Sequence, residues 1–297
     1  MSVSARIFLW LYSLILFLLQ PVLALYLLKR GIRQPEYRQA WGQRFLARLP
    51  EFKPVPAGQK RIWVHAVSVG EAHAVSPLVQ HWAKVYPQHE WAVSCTTPTG
   101  LATCQQLYSA LNNVRFFYLP YDLPYLVTRT LKQVQAHALW VVETELWPNL
   151  LLGAAKEGVH TALLNARVSP TTGKRLAQFG AISKPVLQSL GTLIAQTQAD
   201  ANVFQNLGRP VNAVCGNLKF DVALKPELVT MGRVWREATQ AEQVVLFASS
   251  REGEEALLLD ALNRCQFFKR MPKASVWIVP RHPQRFDEVF ALMAEAA

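Results

Sequence analysis

Three acidic residues stand where apolar, strand-like runs give way to other structure. Glu71 follows residues 62–67 and a Gly-containing turn, and Glu143 and Glu145 lie at the end of residues 139–143. A carboxylate at the start of a helix can act as a general base, and the positive end of the helix dipole favours its ionised form. The same position also suits an ordinary helix N-terminal charge. Spacing alone leaves both interpretations of Glu71 open.

Glu143 and Glu145 are separated by one residue, so in an extended chain their side chains point the same way. Two carboxylates this close raise the pKa of one of them, or require a cation or a hydroxyl-rich ligand. An ion pair with Arg167 or Lys219 meets this requirement without a ligand. Both interpretations stay open at this point, and Glu143 and Glu145 are candidate site residues beside Glu71.

Other polar residues recur behind successive strand-like runs. We take six of them as substrate-binding candidates: Ser68, Gly70, Thr97, Thr99, Gly100 and Asn165. A single Ser, Thr or Asn at such a place is most often a helix N-cap, whereas a Thr/Gly turn that opens a helix also offers N–H groups to an anion. His282 is a further substrate-binding candidate, and the basic candidates are Arg167, Lys219 and Arg281. Together they indicate recognition of a phosphate or a carboxylate, although each one alone is typical of a surface or ion-pair residue.

The elements that must position these residues form an alternating pattern. Strand-like runs occupy residues 62–67, 91–95, 114–119, 139–143, 159–164, 192–196 and 211–215, with helix-like segments such as 71–85 and 148–157 between them. Several runs lack in/out alternation, which is typical of strands buried on both faces of a parallel sheet. The sequence therefore predicts an α/β, doubly wound domain, in which ligands bind at the carboxyl ends of the strands.

A second strand–helix–strand pattern begins near residue 226, with strands at 244–250 and 275–280 and a helix at 252–268. Its roughly 70 residues are fewer than the usual 100–150 of a domain. We therefore predict three regions: a transmembrane anchor (1–30), a Rossmann-like domain with a basic membrane-proximal arm (31–225), and the start of a second Rossmann-like domain (226–297).

The N-terminal region is apolar and is followed by positive charge. Residues 7–28 contain no charged side chain, and a bilayer core needs about 20 such residues. Lys29, Arg30 and Arg33 follow, so the positive-inside rule places the rest of the chain in the cytoplasm. Pro21 keeps open the alternative of a helix lying in the membrane interface. Residues 1–60 hold nine Lys/Arg and two Glu of a net charge of +11, which favours a membrane surface over nucleic acid as partner.

Several chemistries are excluded by pattern. The four cysteines, at 95, 104, 215 and 265, have no C-x-x-C spacing, and the seven histidines show no metal-ligand spacing. G-x-G-x-x-G, Walker and G-x-S-x-G motifs are absent, which argues against NAD enzymes, P-loop NTPases and α/β-hydrolases. We predict no metal and no cofactor.

These segments, taken in order, resemble one family, the bacterial 3-deoxy-D-manno-octulosonic acid (Kdo) transferases of lipopolysaccharide synthesis. The matching pieces are WVHAVSVGE (63–71), TTPTG (96–100), YLPYDLP (118–124), ETELWPNL (143–150), LLNARVS (163–169), GNLKFD (216–221), ASSREGEE (248–255) and VPRHPQRF (279–286). Arg251 stands where the family pattern has His. The Gly-rich loop and acidic residue that follow in the family are not found here, so the chain resembles the family without most of its donor-side domain. We expect either a fragment of a longer protein or a natural truncation with impaired donor binding.

The resemblance implies a GT-B glycosyltransferase with an acceptor-side and a donor-side Rossmann-like domain. It implies metal-independent, inverting transfer of Kdo from CMP-Kdo to a lipid A precursor (lipid IVA) on the cytoplasmic face of the inner membrane. It also implies that Glu71 is the catalytic base, that Glu143 or Glu145 is a second important acid, and that Arg281 and His282 contact the donor phosphate.

Two other functions stay open. One is a non-catalytic, membrane-anchored module that binds the lipid A precursor. The other is a GT-B glycosyltransferase that uses a different sugar donor. A nucleic-acid partner is not expected, because the basic residues cluster behind the apolar N-terminus.

Overall fold

A computed structural model describes residues 1–221 and 226–296, and the chain divides into two compact units between residues 222 and 223. The first unit contains a seven-stranded sheet: β1 (Arg61–His65), β2 (Glu90–Cys95), β3 (Val114–Tyr118), β4 (Ala138–Val142), β5 (His160–Ala166), β6 (Thr192–Ala195) and β7 (Ala213–Val214). All paired strands are parallel, in the order β3-β2-β1-β4-β5-β6-β7. The order therefore reverses between β1 and β4, which is where doubly wound sheets bind ligands.

Helices cover both faces of this sheet: α4 (Val69–Val85), α5 (Pro98–Leu107), α6 (Pro124–Val134), α7 (Pro148–Lys156), α8 (Pro170–Gln178), α9 (Gly180–Gln188) and α10 (Gln198–Asn206). All five residues of β1 are buried. Trp63 packs into one core with Phe117, whereas Val64 packs into the core on the other face with Trp91. Burial on both faces explains the unalternating apolar runs. All seven predicted strands are present, with their ends shifted by at most two residues.

The second unit contains α11 (Pro226–Ala238), β8 (Gln243–Ser250), α12 (Glu254–Arg264), α13 (Phe267–Arg270), β9 (Ala274–Pro280) and α14 (Phe286–Ala296). Strands β8 and β9 are parallel, as a strand–helix–strand unit requires. The prediction of a single helix over residues 252–268 is wrong in one respect. The helix is broken between α12 and α13, where Gln266 takes a left-handed conformation with φ of 52°.

The N-terminal segment forms α1 (Val3–Leu18), α2 (Gln20–Arg33), a short 3-10 turn (Pro35–Arg38) and α3 (Trp41–Leu46). No described helix is by itself long and apolar enough to cross a membrane, and α1 and α2 reach that length only together, with a bend of 46°. The prediction of one continuous transmembrane helix is therefore not supported. Pro21 gives the physical reason, because it lacks an N–H and its ring clashes with the carbonyl four residues earlier.

Helix α1 is hydrogen-bonded to the rest of the first unit. The Tyr12 hydroxyl donates to Asp122 Oδ2 at 3.1 Å, and the Asn149 amide donates to Ser13 Oγ at 3.1 Å. Asp122 also accepts from the backbone N–H groups of Asn149 (2.9 Å) and Leu150 (2.8 Å), in the first turn of α7. The N-terminal helices are thus part of the first compact unit.

Candidate functional site

Two loops flank the point where the strand order reverses, and both carry acids. The loop after β1 leads into α4 through Ser68, Gly70 and Glu71, and the loop after β4 contains Glu143 and Glu145. We call this region the carboxylate edge.

Glu71 is both a helix-capping residue and a buried acid. Ser68 is the N-cap of α4 and donates its hydroxyl to Glu71 Oε1 at 2.9 Å, while Val67 N–H donates to Oε2 at 2.7 Å. This reciprocal arrangement resembles a capping box, so the helix-charge interpretation is correct. Burial nevertheless raises the pKa of Glu71, since only 7% of the residue is exposed. An acid with a raised pKa suits proton abstraction, so capping and base roles are compatible.

The loop after β4 is a turn and not an extended segment. Glu143 has φ of 61°, a conformation that non-glycine residues rarely adopt, and its N–H donates to Leu164 O at 2.9 Å. The expectation that Glu143 and Glu145 point the same way in an extended chain is therefore wrong. Left-handed residues of this kind cluster at functional sites, where the surrounding structure holds them.

The two acids of this loop have different electrostatic surroundings. Glu143 Oε1 lies 3.2 Å from Lys219 Nζ, which is the ion pair expected as one alternative. Burial, followed by the charge of Glu71, raises the pKa of Glu145 to about 7. Lys219 also opposes the rise in the pKa of Glu71, whereas Glu143 adds to it. The acids are thus electrostatically linked across the carboxylate edge.

Glu145→Gln is expected to stabilise the protein at high pH only. Because the pKa of Glu145 is raised from 4.5 to about 7 in the folded state, the wild type loses stability as pH rises through this window. Gln carries no charge to desolvate, so the Tm of the variant should exceed that of the wild type by a few degrees near pH 8 and match it near pH 4. Thermal melts at both pH values measure this. The control is Glu157→Gln, which replaces an exposed acid. An equal rise in the Tm of Glu145→Gln at both pH values would contradict a raised pKa of Glu145.

Asn165 positions the segment that supplies Lys219. This residue is 2% exposed and has φ of 55°; its Oδ1 accepts from Leu218 N–H at 3.0 Å and its Nδ2 donates to Asn217 Oδ1 at 3.4 Å. Asn217 Oδ1 in turn accepts from Lys219 N–H at 3.0 Å. The substrate-binding candidate Asn165 is therefore engaged in holding Lys219 near Glu143.

The loop after β2 caps α5 and contacts the loop after β1. Thr97 Oγ1 accepts from Gly100 N–H at 3.1 Å and donates to Val67 O at 3.4 Å, so the N-cap interpretation of Thr97 is correct. A Cβ on Gly100 would lie 2.8 Å from Thr97 Oγ1 and 3.3 Å from Val67 O, so this close approach requires glycine. Thr99 lies exposed in the first turn of α5.

The remaining basic candidates lie in two places. Arg167 is exposed just after β5, and its carbonyl accepts from the Thr144 hydroxyl. Arg281 and His282 belong to the second unit, where both are exposed just after β9. That loop is braced by Arg285, which donates to both carboxylate oxygens of the buried Glu255 at 2.8 and 3.1 Å.

Two residues next to the carboxylate edge were not selected from the sequence. Asp122 links α1 to α7, and its position just after a strand is the sequence feature that could have indicated it. Arg44 is buried, donates to Thr96 O at 2.8 Å and stacks on the Tyr118 ring at 4.0 Å. No sequence signal marks Arg44, because arginines in a basic arm are usually exposed.

The family described as "3-Deoxy-D-manno-octulosonic-acid transferase (kdotransferase)" matches residues 39–222. The chain is also 34% identical, over 96% of its length and 67% of the relative's, to a 3-deoxy-D-manno-octulosonic acid transferase of Bordetella pertussis. A Haemophilus influenzae protein of the same description is 28% identical over 95% of this chain and 65% of its own length. The chain thus spans about two thirds of the length of these relatives.

Solved structures show a similar fold. UDP-GlcNAc 2-epimerase from Neisseria meningitidis, bound to UDP-GlcNAc, has a TM-score of 0.55 at 14% identity, over 79% of this chain and 69% of that one. A likeness at this identity concerns the fold alone. It supports the predicted α/β, GT-B-like class with a parallel sheet.

Proposed function

Since the chain belongs to the Kdo transferase family, we propose that it takes part in transferring Kdo from CMP-Kdo to a lipid A precursor, in a metal-independent reaction that inverts the anomeric centre. The observation that carries the proposal is the carboxylate edge, with Glu71, Glu143 and Glu145 on the two loops that flank the strand reversal.

In this proposal Glu71 is the general base. Its carboxylate accepts the proton of an acceptor sugar hydroxyl, and the hydroxyl oxygen attacks the anomeric carbon of Kdo. The bond from that carbon to the CMP phosphate oxygen breaks, and CMP departs with the electron pair. Burial supports the role, because a raised pKa brings a Glu closer to the operating pH of a base.

Glu145 and Lys219 set the charge around this base. A pKa near 7 lets Glu145 hold a proton for part of the time, which limits the negative charge beside Glu71. Lys219 neutralises Glu143 and keeps Glu71 more acidic than burial alone would. We assign Ser68, Gly70, Thr97, Thr99, Gly100 and Arg167 to the acceptor side as surrounding groups.

The donor side of the proposal rests on Arg281 and His282. Both are exposed behind β9, and cationic or N–H donors there suit the phosphate of a departing nucleotide. The Glu255–Arg285 pair braces their loop, so the loop is held without help from substrate.

Membrane attachment is proposed through the N-terminal helices. One side of these helices is hydrogen-bonded to the rest of the first unit. Large apolar side chains such as Trp10, Ile15 and Leu25 are exposed elsewhere on them. Exposed apolar side chains followed by Lys29 and Arg30 suit a helix pair lying in the interface of an anionic leaflet. We propose that this leaflet is the cytoplasmic face of the inner membrane.

The direct test incubates the full chain with CMP-Kdo and a lipid A precursor in mixed micelles and detects the product by mass spectrometry. The proposal predicts a Kdo-bearing lipid whose formation needs both substrates. Saturable binding of the lipid without binding of CMP-Kdo and without product would contradict the enzyme and support a lipid-binding module. Product formed only from another nucleotide sugar would support a different donor.

A further inference from the structure

An apolar groove runs along the bend of the N-terminal helices. Phe17 and Pro21 line one side of it, and Trp41, Phe45 and Leu46 of α3 line the other. Its volume is about 580 Å³, within the roughly 300–1,000 Å³ of small-molecule sites. We propose that this groove binds one fatty acyl chain of an anionic lipid. The inference deepens the proposed function, since the lipid acceptor is the lipid that would occupy it.

The charge around the groove favours an anionic lipid over a neutral hydrocarbon. Beyond the groove, α2 carries Lys29, Arg30 and Arg33, which line a second concavity of about 830 Å³. Residues 1–35 contain no Asp or Glu, so nothing within this segment neutralises these side chains. Arg30 is held in place, because it donates to the Tyr26 hydroxyl at 3.1 Å and stacks on the Tyr37 ring at 4.4 Å. An anionic lipid with its acyl chain in the apolar groove and its phosphate near the basic concavity matches both features.

A chain of hydrogen bonds links the groove to the carboxylate edge. Arg44 of α3 donates through Nη1 to Thr96 O at 2.8 Å, and the Thr96 hydroxyl donates to Val67 O at 3.3 Å. Val67 N–H donates to Glu71 Oε2 at 2.7 Å. A lipid whose chain lies in the groove is thus tethered beside the edge that holds the proposed base. Such tethering raises the effective concentration of the sugar hydroxyl.

Gly42 offers a way to fill the groove. It lines the groove on α3, and within the part of the chain that the structure describes a Cβ there meets Arg48 alone, at an ordinary 3.6 Å. Gly42→Leu therefore occupies space that the acyl chain would use. Leu46→Glu is a second variant, because Leu46 is 47% exposed and its replacement does not depend on core packing. Gly232→Leu in α11 is the matched control, since no atom of the described residues lies within 4 Å of its Cβ position.

The test measures saturable binding of a dansyl-labelled fatty acid by fluorescence, beside co-sedimentation with phosphatidylglycerol vesicles. We expect one site in the wild type. Gly42→Leu should displace about two methylene groups of the acyl chain and weaken binding about 10-fold. Leu46→Glu should also weaken binding, whereas Gly232→Leu should not. Vesicle binding should be unchanged in all variants, because the exposed apolar faces of α1 and α2 remain.

Wild-type affinity in both groove variants would overturn the proposal, as would the absence of saturable binding in the wild type. If the groove variants lost vesicle binding together with binding of the labelled fatty acid, the groove would be part of a general membrane contact and not an acyl-chain site. A dimer that Gly42→Leu disrupts would assign the groove to a second copy of the chain. Since the readout is binding, a failure of Kdo transfer would contradict the proposed function and leave this result standing.

Discussion

Glu71→Gln is expected to lower kcat for Kdo transfer by about 10²–10⁴-fold, the usual contribution of a general base. The amide cannot accept the proton of the acceptor hydroxyl at neutral pH. Its carbonyl can still accept from Val67 N–H, as Oε2 does at 2.7 Å, so the free energy of unfolding should fall by only about 1 kcal/mol. The KM for the acceptor should change little. Steady-state kinetics together with urea unfolding measure both effects.

The control for this variant is Glu36→Gln, which removes an exposed acid in the 3-10 turn of the basic arm. It should leave kcat unchanged. If Glu71→Gln kept a kcat within a few-fold of the wild type, Glu71 would be a capping residue alone.

Asp122→Ala is expected to cause a large loss of stability, about 3–5 kcal/mol in the free energy of unfolding. The change removes a 2%-exposed carboxylate and leaves Asn149 N–H, Leu150 N–H and the Tyr12 hydroxyl without their acceptor. Each buried group left unpaired costs about 1–3 kcal/mol. Urea unfolding measures the loss, and hydrogen exchange should show faster exchange in α1 because its contact to the first unit is weakened.

Asp122→Asn is the matched control, because its amide oxygen keeps one acceptor for the N–H groups of α7. Its loss of stability should be smaller, and it should also change the pH dependence. Burial raises the pKa of Asp122 from 3.8 to about 6, so this group binds a proton more readily in the folded state and reduces stability as pH rises through that window. Asp122→Asn should remove this part of the pH dependence. A wild-type profile in Asp122→Asn, or a wild-type free energy of unfolding in Asp122→Ala, would contradict the described role.

The strands were predictable because each is a short apolar run buried on both faces. Trp63 and Val64 enter opposite cores, so neighbouring positions must both be apolar, and that pattern is visible in the sequence. The broken N-terminal helix was harder, because residues 7–28 are uniformly apolar and only Pro21 marks the bend. Hydropathy measures length and composition, whereas the bend depends on one missing N–H and one ring.

The acids of the site were predictable as strand-end residues, but their geometry was not. Glu143 adopts a left-handed conformation that no local glycine or asparagine signals. Its partner Lys219 lies far along the chain and is placed through Asn165 and Asn217. Such contacts depend on tertiary structure, so spacing suggested an ion pair with Lys219 only as one of two options.

The most direct test of the central claim is the pH dependence of kcat/KM for transfer in the wild type and in Glu71→Gln. The wild type should lose activity towards acid with an apparent pKa above that of an ordinary Glu, because burial raises the pKa of Glu71. The residual activity of Glu71→Gln should lack this acid limb. An acid limb that persists unchanged in Glu71→Gln would contradict the assignment of Glu71 as the base.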